Sequence, residues 1–365
     1  MYSQLIEWSK RNPLTRRAVA AFSGQRPPDD LASALRGESA NLNDIGKFIV
    51  GHVTPMRAPL VLISQVHRSG GTLLSQLFDG HPMLAAYPNE LKIGHPTPEN
   101  WPPIRPEEGA EKCFHMLYEP RDIRFLRKGY SKGERGEVNL PFFNVPSLHY
   151  RIFRSLFEAA SPSSQREVID LYFTAYFHAW LNYQGDLSQK KWITAFAPRF
   201  AQYEASVAGF FAAYGDGKLI QIVRDPRTWY PSAKHHNSNK KRANPDDIQG
   251  LLDLWLASAN SILTNKQRFG DKVIVLTFER LVSDTESALR AMADQLGINF
   301  DPSLLVPTFN GRSMVANSSF DVQGGGVSAA PLKREKLLGD AERDAIERNC
   351  VALYEKVAAL DDLAR

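Results

Sequence analysis

An α/β fold, a parallel β-sheet flanked by helices and carrying long inserted loops, is what this 365-residue chain predicts, on three observations. Short apolar runs such as Leu219-Ile220-Gln221-Ile222-Val223 have the composition of strands buried on both faces. Segments of helical period separate those runs. A glycine turn joins the first run directly to the first helix, and alternation of the two element types implies a parallel sheet.

The elements follow in order. Residues 60–66 form the first strand and His67-Arg68-Ser69-Gly70-Gly71 the turn. Leu73, Leu74, Leu77 and Phe78 share one helical face, and Gly80-His81-Pro82 ends that helix. Residues 164–184 read as a helix, 192–196 as a strand, and 202–214 as a helix. The strand at 219–223 is followed by a helix at 248–269 and a strand at 273–276. Helices at 284–296 and 340–360 complete the pattern. Five prolines between 96 and 106, then Gly129, Gly133 and Gly136, mark 94–150 as a loop-rich insertion. Long loops in compact domains are usually functional, so this one is expected to shape an acceptor pocket. With no internal repeat, the expected organisation is an N-terminal helical and linker segment (1–59) followed by a single domain (60–365).

Composition excludes several classes. Hydrophobic residues at 43% and charged residues at 23% are ordinary globular values, so disorder is not the expectation. A net charge of +4 suits an anionic ligand but not wholesale nucleic-acid binding. No stretch approaches 18 apolar residues, so no integral membrane segment is expected. The first 25 residues lack the apolar centre of a secretory signal. Cys113 and Cys350 form no CxxC pair, which leaves reduced thiols in a cytoplasmic protein as the expectation. No carboxylates cluster at metal-ligand spacing, and no metal is expected.

Two segments carry chemistry. In Arg68-Ser69-Gly70-Gly71-Thr72-Leu73, the glycines let several N–H groups converge at the start of a helix, which makes an anion site. Arg68 adds a permanent planar charge, and Ser69 and Thr72 add hydroxyls. The GxxxxGK[ST] pattern of nucleotide-triphosphate loops is absent, which weakens a P-loop nucleotide kinase. In the second segment, Arg224 stands at the end of a buried strand, where open α/β sheets bind ligands. Ser232 lies about two helical turns further on, so the two can grip one phosphate from two sides.

Taken together these segments resemble the sulfotransferase family. HRSGGTLLSQLFDGHP is similar to that family's 5′-phosphosulfate loop, PRSGTTLL…HP, and IVRDPRTWYPS to its 3′-phosphate motif. VLTFERL resembles its strand ending in YEDL. Asn317-Ser318-Ser319-Phe320, Gly324-Gly325-Gly326 and then Lys333-Arg334 resemble its late cofactor loop, most like bacterial and Golgi-type members. The matches keep family order over about 60–350. The resemblance implies a P-loop-like sulfotransferase fold and the donor 3′-phosphoadenosine 5′-phosphosulfate, held by Arg68 to Leu73, Arg224 and Ser232. It puts Phe278 near the adenine and Lys333 in the late loop. The acceptor is then a hydroxyl, on a carbohydrate or small metabolite. A P-loop nucleotide kinase and a non-catalytic nucleotide-binding protein on the same fold remain as alternatives, and oligomeric state is left open.

Transfer needs charge stabilisation, supplied here by Arg68 and the loop amides, and a base for the acceptor proton. The base is expected just after the first helix. Related Golgi-type enzymes place a glutamate there, which points to Glu90, while His95 corresponds to the histidine of cytosolic members. Two departures stand out. Gly71 replaces a threonine of the loop, and Phe196-Ala197-Pro198 lacks the lysine many members carry, for which Lys92, Lys190 or Lys191 is a candidate substitute. His235 and His236 read as an exposed loop after Ser232.

Overall fold

The computed structural model describes residues 38–91, 101–118, 121–130, 139–240, 247–314 and 326–363. Lys92, His95, the stretch 317–325 and the first 37 residues lie outside it. The chain divides into two compact units, Met1–Val53 and Thr54–Arg365. In the first, Glu38–Val50 is a helix.

The second unit is organised by a five-stranded sheet: β1 (Leu60–Ser64), β2 (Leu84–Glu90), β3 (Trp192–Phe196), β4 (Lys218–Val223) and β5 (Val273–Thr277). Their order is β2-β3-β1-β4-β5, and every pairing is parallel. The doubly wound fold expected from the apolar runs is therefore present. All five residues of β1 and of β5 are buried, as strands covered on both faces must be. Val61, Ile63, Ile220, Ile274 and Leu276 join Leu74, Leu77, Leu289 and Met292 in one hydrophobic core. The chain runs from β1 to the edge strand β2, returns to β3 beside β1, and then crosses to β4 and β5 on the other side. The order thus reverses at β1, and a crevice opens at its carboxyl end.

β2 is a strand that the hydropathy pattern does not announce. Leu84-Ala85-Ala86-Tyr87-Pro88-Asn89-Glu90 contains a proline and no β-branched residue. It is tolerated because β2 is an edge strand, and its register against β3 shifts between Ala86 and Glu90. The Pro88 carbonyl accepts a hydrogen bond from Tyr130 Oη at 3.1 Å. On the opposite edge, the outer groups of β5 meet side chains. Val275 N–H donates to Asp362 Oδ2 (2.8 Å) and Thr277 N–H to Asp361 Oδ2 (3.0 Å). The Val273 carbonyl accepts from Lys266 Nζ at 2.8 Å.

The insertion departs from a continuous loop. Helices Ala110–Leu117 and Arg121–Lys128 lie between its prolines and glycines. A 15-residue helix, Pro146–Ala160, opens on a proline at its first position and buries Leu148, Ile152 and Phe153 at helical spacing. The next helix, Gln165–Ala179, starts at a capping box between Ser164 and Glu167.

Candidate active site

The carboxyl ends of all five strands meet at one cavity of about 220 Å³. Gln65 follows β1, Glu90 ends β2, Phe196 ends β3, Arg224 follows β4, Phe278 follows β5, and each lines it. The register accounts for the convergence: Glu90 pairs with Phe196, Ser64 with Gln221, and Val223 with Thr277, so the strand tips lie side by side.

The loop between β1 and helix Gly71–Phe78 forms the cavity floor, with Arg68, Gly70, Gly71, Thr72 and Leu73 in its lining. Two residues turn it. Gly70 has φ 98°, and a Cβ there would lie 2.7 Å from Phe278 Cδ2, so this position requires glycine. Arg68 has φ 67°, a left-handed conformation unfavourable for a residue with a Cβ. Ser69 is fully buried, and its Oγ has no hydrogen-bond partner. An orphaned hydroxyl at a helix start beside an arginine fits an anionic group that supplies the missing acceptor.

Arg224 is 2% exposed, and four of its five N–H donors are engaged within the protein. Its Nε donates to Thr228 Oγ1 (3.0 Å), Nη1 to the Arg68 carbonyl (2.9 Å), and Nη2 to the carbonyls of Thr228 (2.8 Å) and Pro331 (3.2 Å). Its guanidinium carbon stands 4.3 Å from the Phe278 ring centroid. Burial first, and then the charge of Arg334, push Arg224 down to about 9. Burial, then Arg68, push Arg334 down to about 10. Both stay protonated at neutral pH, so three guanidinium groups repel one another around one cavity. Glu279 offsets part of this charge, and burial raises its own carboxyl. An anion with two charged ends fits this surplus.

Not every expected residue faces the cavity. Ser232 is fully buried and absent from the lining; its Oγ donates to the Thr228 carbonyl (3.2 Å) and accepts from Arg334 Nη1 (2.8 Å). Lys333 is exposed and outside the lining, whereas its neighbour Arg334 is 7% exposed and lines it. The turn of the 3₁₀ helix Ala330–Leu337 leaves Lys333 exposed and Arg334 buried. Lys190 does not substitute for the missing lysine. It precedes β3 at the sheet's other end, two residues before a strand about 13 Å long whose far tip lines the cavity. There its Nζ donates to the His81 carbonyl (3.1 Å) and lines a separate cavity with Asp79. Lys191 is exposed at the same end. His235 and His236 lie not in an exposed loop but half-buried on helix Pro226–Lys240; His236 lines the cavity, its ring centroid 5.8 Å from that of His67.

A parallel α/β sheet whose strand tips meet at an arginine-rich cavity is the architecture of the P-loop-like class. A profile of the sulfotransferase family matches residues 59–302, and the chain belongs to that family. Among solved structures it is similar to the sulfotransferase domain of the Synechococcus PCC 7002 olefin synthase. The identity is 21% over 82% of this chain and 94% of that one, with a TM-score of 0.46. The sulfotransferase domain of the curacin biosynthetic pathway has 16% identity over 83% and 96%, with a TM-score of 0.46. A sulfotransferase from Alicyclobacillus acidocaldarius has 13% identity over 81% and 98%, with a TM-score of 0.41. No curated protein matches the chain. No described helix is long and apolar enough to cross a membrane.

Proposed function

We propose that the protein transfers a sulfuryl group from 3′-phosphoadenosine 5′-phosphosulfate to a hydroxyl of a carbohydrate or small metabolite. The observation that carries this reading is one cavity lined by Arg68, Arg224 and Arg334, with Glu90 on its wall. Arg68 and the amides at the start of helix Gly71–Phe78 hold the phosphosulfate end and stabilise charge on the transferring group. Arg224 and Arg334 take the 3′-phosphate, and Ser232 orients Arg334 from behind. Phe278 lies at the adenine end. The acceptor oxygen attacks sulfur and forms the new S–O bond. The bond from sulfur to the bridging phosphate oxygen breaks, and the acceptor proton passes to the Glu90 carboxylate. The leaving group is 3′-phosphoadenosine 5′-phosphate.

Residues 60–365 act as the catalytic domain in this reading, with 94–150 shaping the acceptor side. A cytoplasmic location agrees with Cys113 and Cys350, both buried and unpaired. Calorimetric titration tests the donor: tight binding of 3′-phosphoadenosine 5′-phosphate and weak binding of AMP are expected, and equal affinity ends the reading. Turnover of a labelled donor against sugar and metabolite pools then identifies the acceptor.

A further inference from the structure

Gln65 has no part in the chemistry described so far, yet its side chain occupies the centre of the loop. It is 2% exposed and lines the cavity. Its backbone is fixed, since the carbonyl accepts from Arg199 N–H at 3.0 Å. The carboxamide lies against Gly71. A Cβ on Gly71 would stand 1.9 Å from Gln65 Nε2 and 2.6 Å from Cδ, with Phe196 Cε2 also at 2.6 Å. No side chain at position 71 can coexist with the carboxamide where it is. Gly71 thus leaves a space, and Gln65 fills it. The Oε1 atom is buried and has no hydrogen-bond partner.

A buried amide oxygen left unpaired is unfavourable, and native cores rarely keep one without a reason; exchanging the two ends of the amide puts a donor at that position instead. Here the reason lies in the cavity. Arg68 and Arg224 line it as well, so an anion seated there has oxygen atoms to share. Rotation about the Cγ–Cδ bond exchanges the two ends of the amide, so its N–H donors can turn toward such an oxygen.

We propose that the Gln65 carboxamide, seated in the space Gly71 leaves open, is a binding group of the anion loop and donates a hydrogen bond to an oxygen of the group seated on it. This rests on the sulfotransferase reading of the same site. A hydroxyl lost at position 71 is thereby replaced by an amide from the end of β1, a donor arriving from the strand rather than from the helix.

The test uses three variants of the full chain. Gln65→Met keeps length and bulk but cannot donate. Gln65→Glu keeps shape and adds repulsion. Gln65→Ala removes the side chain. Steady-state turnover with 3′-phosphoadenosine 5′-phosphosulfate, titration with 3′-phosphoadenosine 5′-phosphate, and thermal unfolding are measured on each. The expected result is a drop of about 10- to 100-fold in kcat/KM for the donor in both Gln65→Met and Gln65→Ala, with the unfolding midpoint of Gln65→Met unchanged. Gln65→Glu is expected to bind the nucleotide more weakly than Gln65→Met. Wild-type kcat/KM in Gln65→Met means the side chain only packs, and overturns the proposal. If the Met variant unfolds, wild-type kcat/KM in Gln65→Ala overturns it instead. Failure of the unmutated protein to bind the nucleotide at all overturns the donor reading first, and this one with it.

Discussion

Arg334 Nη1 donates to Ser232 Oγ at 2.8 Å, joining residues 102 positions apart, and Arg224 reaches the same turn through the Thr228 carbonyl. The serine orients one arginine while the other braces the loop. Arg334→Ala is therefore expected to narrow the preference for 3′-phosphoadenosine 5′-phosphate over AMP by about 10- to 100-fold. Ser232→Ala removes only the brace and should narrow it less, and Lys333→Ala should leave it intact. Calorimetry with both nucleotides checks the order, and an unchanged preference in Arg334→Ala refutes the assignment.

Arg224 predicts a cost in stability as well as binding. Its removal leaves the carbonyls of Arg68, Thr228 and Pro331 without this donor. The Thr228 carbonyl keeps Ser232 Oγ as a donor, and a buried carbonyl left with no donor costs about 1–3 kcal/mol. Arg224→Ala should unfold at distinctly lower denaturant than Arg334→Ala. Equal midpoints would show that the brace is weak.

Arg68 couples strain to function. Arg68→Ala should lower turnover about 10²- to 10³-fold, the usual loss for one preorganised donor. Arg68→Gly should be equally impaired yet about 1–2 kcal/mol more stable than Arg68→Ala, because glycine meets φ 67° without a Cβ penalty. Turnover assays and denaturation curves on the pair separate the two effects.

Glu90→Gln keeps size and polarity but cannot take a proton. It should bind 3′-phosphoadenosine 5′-phosphate normally and lose about 10²- to 10⁴-fold in turnover. His95→Asn is the comparison. Loss of turnover in the histidine variant with retention in Glu90→Gln reverses the roles.

Lys190 predicts a pH signature far from the cavity. Burial pushes it from 10.5 down to about 8. The unfolded chain therefore holds this proton more tightly than the folded one, and stability from this group rises with pH between about 8 and 10.5. Lys190→Met should be the more stable protein near pH 7, with the gap closing as pH climbs through that window. A gap independent of pH would show that the ammonium is well solvated.

The strands at 60–64, 218–223 and 273–277 were legible because burial on both faces writes a mostly apolar run. Arg224 was legible because it directly follows such a run, and Arg68 because it lies in the glycine turn just after one. β2 was not, since an edge strand with Pro88 carries neither β-branched residues nor alternation. Helix Pro146–Ala160 was missed although Leu148, Ile152 and Phe153 mark its face; the glycines just before it suggested a longer loop. Arg334 and Lys333 are adjacent, and only the three-dimensional turn of the 3₁₀ segment decides which one faces the cavity. Gln65 gave no signal, because its role depends on the volume that Gly71 lacks.

The two sheet edges have a consequence for assembly. A bare edge strand is a template on which another chain can add a strand. Here Pro88 and the register shift interrupt one rim, while Asp361, Asp362 and Lys266 occupy the outward groups of the other. Neither border offers a continuous row of free amides and carbonyls for strand addition. The sheet is insulated from amyloid-like stacking by a proline on one flank and by charged side chains on the other.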